Sequence, residues 1–119
     1  MIGQQPSRLL QPAALAFQQF LKTYPDSELA DNAQYWLAES HYVTQKFEQA
    51  LGEFETVISQ YPRSRKVPDA LLKMGYCSYE LGQWESAKAS LRRVQSEYPE
   101  TTAARLAGQR LERMEEEGV

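Results

Sequence analysis

Apolar residues recur along the chain at offsets of four and three, the spacing that keeps side chains on one stripe of an α-helix. Ala13, Phe17 and Phe20 form one stripe, Ala50, Phe54 and Val57 a second, and Ala87, Leu91 and Val94 a third. A different apolar helix is predicted between them, over Tyr35-Trp36-Leu37-Ala38 and again over Leu72-Lys73-Met74-Gly75. Tyr-Pro closes each stripe, at Tyr24-Pro25, Tyr61-Pro62 and Tyr98-Pro99, so the whole pattern repeats every 37 residues. Proline drives the residue before it out of helical geometry, so each helix should stop at the tyrosine. Asp26-Ser27, Arg63-Ser64 and Glu100-Thr101-Thr102 then offer N-cap side chains for the next helix.

The repeating unit is therefore helix, turn, helix and a proline-marked turn. Thr44-Gln45-Lys46-Phe47 and Leu81-Gly82-Gln83-Trp84 are the turns inside the units. Glycine suits a left-handed helix end best, so the turn at Gly82 should be the tighter. Such a helix pair cannot bury its apolar face alone and must stack on its neighbours. Small residues at Ala38, Ala50, Gly75 and Ala87 allow close approach along the seams. The reading is all-α, about six helices in one domain over 12–119. It holds a partial repeat over 12–25, repeats over about 27–62 and 64–99, and a closing helix over about 102–117. Residues 1–11, containing Pro6 and preceding Pro12, are expected to be irregular, either an altered end or a vector-derived remnant.

Composition narrows the chemistry. A net charge of −3 and a pI near 5.2 give no basic face for nucleic acid. One cysteine, Cys77, permits neither an intrachain disulfide nor a cysteine metal cluster. The single histidine, His41, has no second histidine at ligand spacing and reads as a structural residue. The six glycines form no phosphate loop, and no carboxylate sits in a setting that suggests a raised pKa. No catalytic, cofactor or metal site is expected. No apolar run approaches the ~20 residues of a membrane span. Residues 1–8 lack the pattern of a signal peptide, so if the parent protein is exported this chain is a piece of it.

Ala50-x3-Phe54 with Pro62, Ala87-x3-Leu91 with Pro99, Leu37-Ala38 and Met74-Gly75 resemble the tetratricopeptide repeat (TPR) signature. That resemblance implies a right-handed superhelix. Three residues beyond the usual 34 follow each Tyr-Pro. With the wording Tyr-Pro-x-Ser, and with Phe17-Gln18-Gln19-Phe20-Leu21-Lys22-Thr23-Tyr24-Pro25-Asp26-Ser27 and Lys66-Val67-Pro68-Asp69-Ala70, the chain is similar to the C-terminal TPR domain of the YbgF (CpoB) family of the Tol-Pal system. The resemblance implies a periplasmic protein that binds TolA. It would help couple outer-membrane constriction to septal peptidoglycan synthesis, by way of a murein synthase. BamD-like components of outer-membrane protein assembly use similar repeats and form the alternative, with a self-associating structural module as a third reading.

In such arrays the first helix of each pair lines the concave side. Counting along the signature places Asn32, Tyr35, Glu39 and Tyr42 there in one repeat, and Asp69, Leu72, Lys73, Tyr76 and Tyr79 in the next. The closing helix adds Gln109, Arg110 and Arg113, and gives a polar outer face through Arg105, Arg110, Glu112, Arg113, Glu115 and Glu116. Trp36 and Trp84 are expected in the core, and Lys73 and Glu39 taken singly are expected to be solvated. The stripe of Ala13, Phe17 and Phe20 lacks a partner helix, so the first helix is expected to be half covered. A second copy packing there, or an upstream coiled coil, would make a homo-oligomer.

Overall fold

The computed structural model describes residues 6–119, with side chains from Ala13 onward. Six helices follow one another: α1 (Pro6–Thr23), α2 (Ala30–Val43), α3 (Phe47–Gln60), α4 (Val67–Glu80), α5 (Trp84–Glu97) and α6 (Thr102–Glu117). No strand occurs among the described residues. Each helix packs against its neighbours in sequence, and α4 also packs on α6. The result is a slab 41 × 40 × 20 Å, about two helix diameters thick, with α2, α4 and α6 in one layer and α1, α3 and α5 in the other.

The repeated stripes are the centre of this slab. Ala50, Phe54 and Val57 on α3 and Ala87, Leu91 and Val94 on α5 are all fully buried. The first set joins Tyr35, Ala38, Ala70 and Cys77 in one core, and the second joins Leu71, Leu72, Ala103, Ala107 and Met114 in another. Ile58 and Met74 pack against both, which makes the two cores one continuous seam. Ala13, Phe17 and Phe20 on α1 are only half-buried, because α1 is covered by α2 alone.

Gly75 sits where α4 crosses α5. A Cβ there would meet Leu91 Cδ2 at 2.6 Å and Cγ at 2.7 Å, and Leu91 is itself fully buried with nowhere to retreat. The close approach expected from the small residue is real.

Tyr61 (φ −131°, ψ 59°) and Tyr98 (φ −133°, ψ 55°) leave the helical region before their prolines, while their N–H groups still donate to Val57 and Val94 carbonyls at 3.0 and 2.9 Å. Capping differs from the expectation. Of the expected caps only Thr101 is a true N-cap, accepting from the Ala104 N–H at 3.1 Å. Ser27 and Ser64 instead accept from the N–H groups of Leu29 and Lys66, two residues on, and fold the three extra residues of each repeat into a turn before the helix begins. A serine hydroxyl stabilises such a local turn as readily as a helix start, which is why the two roles look alike in sequence.

The turns inside the repeats also correct an expectation. Gln45 (φ 65°) and Gly82 (φ 73°) adopt the same left-handed conformation. Lys46 N–H donates to the His41 carbonyl at 2.9 Å and Gln45 N–H to Tyr42 at 2.9 Å; the matching bonds at Gln83 and Gly82 are 2.9 and 3.0 Å. Both are Schellman endings of equal tightness. The difference is that Gln45 carries a Cβ in a region costing about 1–2 kcal/mol for side-chain-bearing residues.

Helix α1 begins at Pro6, not near Pro12, so residues 6–11 are helical rather than irregular. Proline is well placed at a first helical position, where its fixed φ is already helical and its missing N–H would have had no partner. The expectation for residues 1–5 lies outside the described residues.

Two stability measurements follow by thermal melting. Gly75→Val should destabilise by roughly 1–3 kcal/mol through overpacking against Leu91, and an unchanged midpoint would refute the seam. Gln45→Gly should stabilise by about 1 kcal/mol as the left-handed strain is relieved, the gain being limited by the greater unfolded-chain entropy of glycine.

Candidate protein-binding face

The layer of α2, α4 and α6 carries a row of aromatic rings, each under a cation from the next element along. Lys66, just before α4, places Nζ 4.9 Å from the Tyr35 ring centroid and 5.1 Å from that of Trp36. Lys73 on α4 lies 4.6 Å over Tyr42 of α2 and bonds both carboxylate oxygens of Glu39 at 2.9 and 3.1 Å. Arg110 on α6 stacks 4.2 Å over Tyr76 and 4.8 Å over Tyr79 of α4. Arg113 lies 5.6 Å from the Tyr79 ring, and its Nε donates to Glu117 at 3.2 Å. The Tyr79 hydroxyl also donates to Glu117, at 2.5 Å.

Edge-on rings anchor this row to the layer beneath. Tyr35 and Tyr42 lie against Phe54 at 5.5 and 6.4 Å between centroids, and Tyr42 against Phe47 at 5.6 Å. One repeat later Tyr79 packs on Trp84 at 5.5 Å.

Eight of the expected groove residues are thus brought together: Tyr35, Glu39, Tyr42, Lys73, Tyr76, Tyr79, Arg110 and Arg113. Tyr35 and Leu72 are buried, so neither offers a free surface. Asn32 and Gln109 are exposed, and Asp69 is half-buried at the start of α4. Asn32 and Asp69 border a depression of about 510 Å³ shared with Glu28, Arg63 and Arg65. The expectation that Lys73 and Glu39 are merely solvated fails, because the two satisfy each other. Arg110 likewise is half-buried and spends its charge on two rings instead of forming part of a solvated outer face.

The tryptophans depart furthest. Trp36 is 45 % exposed and Trp84 38 %, so neither is core. Trp36, Lys73 and Arg110 hold the same register 37 residues apart, and reading that column would have shown Trp36 as an outward-facing position. Lys66 and Glu117 were missed as members of the face; the aromatic residues they meet come from other helices, which spacing alone does not reveal.

Titration behaviour fits a face of neutral donors. Burial raises the hydroxyls of Tyr35 and Tyr76, and pushes Tyr42 up to about 12 with help from nearby Cys77. The bond to Glu117 raises Tyr79 and in turn lowers Glu117. These tyrosines remain protonated at neutral pH and can donate a hydrogen bond while presenting an apolar ring.

His41 is buried, with Nδ1 against Glu53 Oε1 in a bond that ties α2 to α3. Gln34 adds a second tie, donating to the Glu53 carbonyl at 2.9 Å. Burial raises Glu53 against the opposing effect of His41, which corrects the expectation that no carboxylate sits in such a setting. Among the described residues no group of three or more His, Cys, Asp or Glu side chains is placed to hold a metal, and no helix is long and apolar enough to cross a membrane.

A slab of stacked helix pairs with aromatic rings along one layer defines a helical-repeat interaction module. The tetratricopeptide repeat model matches residues 32–64 and 69–101, together more than half of the chain, and the chain belongs to the tetratricopeptide repeat family. The first match covers α2 and α3, the second α4 and α5, so the matched repeats and the observed helix pairs coincide. A comparison with curated proteins finds no match.

Cys77 offers a test of how closed this packing is. It is fully buried and burial pushes its thiol up to about 12, well above the ordinary value. Because the thiolate is the reactive form, the folded protein should not react with a disulfide reagent at pH 8, and raising the pH to 9 should change little. Unfolding in guanidinium should release one full equivalent; fast labelling of the native protein would show the α2–α4 seam to be open.

Proposed function

We propose that this chain is a non-enzymatic scaffold of the periplasmic Tol-Pal system, holding TolA on the α2–α4–α6 layer and helping to coordinate outer-membrane constriction with septal peptidoglycan synthesis. The observation that carries a protein-binding role is the row of tyrosines with stacked cations along one layer. Rings of this kind give large contact area with little rotamer entropy to lose, and Arg and Tyr are enriched among the residues that dominate binding energies. Nothing in that row supplies a nucleophile or a general base with a substrate cavity, so recognition is its chemistry. The choice of TolA rests on the sequence similarity carried by the Tyr-Pro-x-Ser repeats, as does the periplasmic setting and the link to a murein synthase.

The experiment is titration calorimetry of this domain with the periplasmic part of TolA. Binding at micromolar affinity or tighter is expected. The double variant Tyr76→Ala with Arg110→Ala should weaken it about tenfold or more, with helix content by circular dichroism unchanged. No heat and no co-elution would overturn the TolA assignment and favour the outer-membrane assembly reading, leaving the family assignment untouched. Unchanged affinity in the double variant would move the site to another surface.

A further inference from the structure

The two complete helix pairs are tied together differently. Between α2 and α3 both polar side-chain ties among the described residues end on Glu53, from His41 Nδ1 to its carboxylate and from Gln34 Nε2 to its backbone carbonyl at 2.9 Å. One repeat further on, in α4 and α5, the places of Gln34, His41 and Glu53 are held by Leu71, Ser78 and Ser90. The His41 side chain is 9 % exposed and that of Glu53 17 %, so water reaches the contact poorly. Burial raises Glu53, and His41 opposes that effect without cancelling it. An imidazole and a carboxylate in such contact take up and lose protons as one unit, and neither titrates alone.

We propose that the His41–Glu53 pair is a clasp that tightens α2 against α3 as the solution becomes mildly acid, a device that α4 and α5 lack. Around neutral pH the pair holds an ionised carboxylate in a place that disfavours charge. A proton taken up from solution removes that cost and leaves the bond in place, because an imidazole N–H donates to a carboxylic acid oxygen as well as to a carboxylate. Glu53 in the folded chain lies above its ordinary value of 4.5, so its contribution is fully present below 4.5 and is lost as the pH rises through the folded value. The groups facing the pair do not reverse this. Across a small cavity beside His41, α1 presents Ala14, Leu15 and Gln18, none of them titratable, and the turn after α2 presents the Lys46 ammonium. On α2 Glu39 is held by Lys73, and on α3 Glu48 and Glu55 point into solvent. His41 immediately precedes Tyr42, so the clasp sets how firmly α2 carries its share of the aromatic face.

Thermal melting of the wild-type chain and of Glu53→Gln between about pH 4 and about pH 8 tests this. The amide cannot ionise but still accepts from the imidazole, and titrations elsewhere cancel in the difference between the two midpoints. That difference should move in favour of the variant by a few degrees as the pH rises. Glu55→Gln, which alters an exposed carboxylate on the same helix, should give a difference that stays flat. As the only histidine, His41 also reports directly in the unaltered protein: its ring NMR signals should shift in two steps, one for each proton of the pair. A flat difference for Glu53→Gln, or one that moves against the variant with rising pH, would overturn the proposal. A single step at His41 would overturn it too, whether or not the variant folds.

Discussion

A helix of fourteen residues with an apolar stripe can be covered on one flank by its hairpin partner, and the other flank stays wet until another helix arrives. Helices α2 to α5 are all of this length, and everything else in the molecule answers to that constraint. Phe54 and Leu91 reach complete burial because α3 lies between α2 and α4, and α5 between α4 and α6. Each such residue contributes roughly 1.5–3 kcal/mol when fully removed from water, so the second cover matters as much as the first. Gly75 is a consequence: the third helix can close over Leu91 only where α4 has no side chain. The same residue would be a liability in an isolated helix, where glycine costs about 1 kcal/mol relative to alanine.

What was legible in the sequence is what local periodicity encodes. The three stripes, the Tyr-Pro stops, the small residue at Gly75 and the extent of α6 could be read because each depends on residues within a turn or two of itself. The misread cations depend on partners far along the chain. Lys73 looked solvated until Glu39 and Tyr42, on another helix, came within reach; Arg110 looked like part of a polar cap until two tyrosines of α4 lay beneath it. Ser27 and Ser64 failed for a different reason, since their hydroxyls stabilise a turn inserted ahead of the helix, and a hydroxyl near a helix start is ambiguous between the two. In the candidate face, the state of the charges was misread.

That state changes how the face would be recognised. A free lysine or arginine on a groove can be offered whole to an acidic partner. Here Lys73 already holds Glu39 and lies on Tyr42, and Arg110 already lies on two rings. A partner that captured these cations would have to displace contacts of about 0.5–2 kcal/mol each, so the gain from a new ion pair is largely offset. Tyr42 and Tyr76 keep hydroxyls that are protonated at neutral pH, whereas the Tyr79 hydroxyl already donates to Glu117. Selectivity on this layer therefore belongs to shape and to hydrogen-bond acceptors on the partner more than to its net charge.

The column Trp36, Lys73, Arg110 shows how a repeat protein can vary one position without disturbing its fold. At the two inner places the residue must span from one layer helix to the one before, and a long flexible stem with a cation meets an aromatic ring there. At the outer place there is no ring to meet, and a cation would simply be hydrated. An indole in that position takes the Lys66 ammonium over its ring, 5.1 Å from the centroid, and leaves an apolar edge beside Val43 and Phe17. The opposite edge solves the same problem with carboxylates and an amide, at Glu112, Glu116 and Gln109. One edge is thus polar, and the other, with Trp36 and Val43 exposed beside Phe17, is apolar.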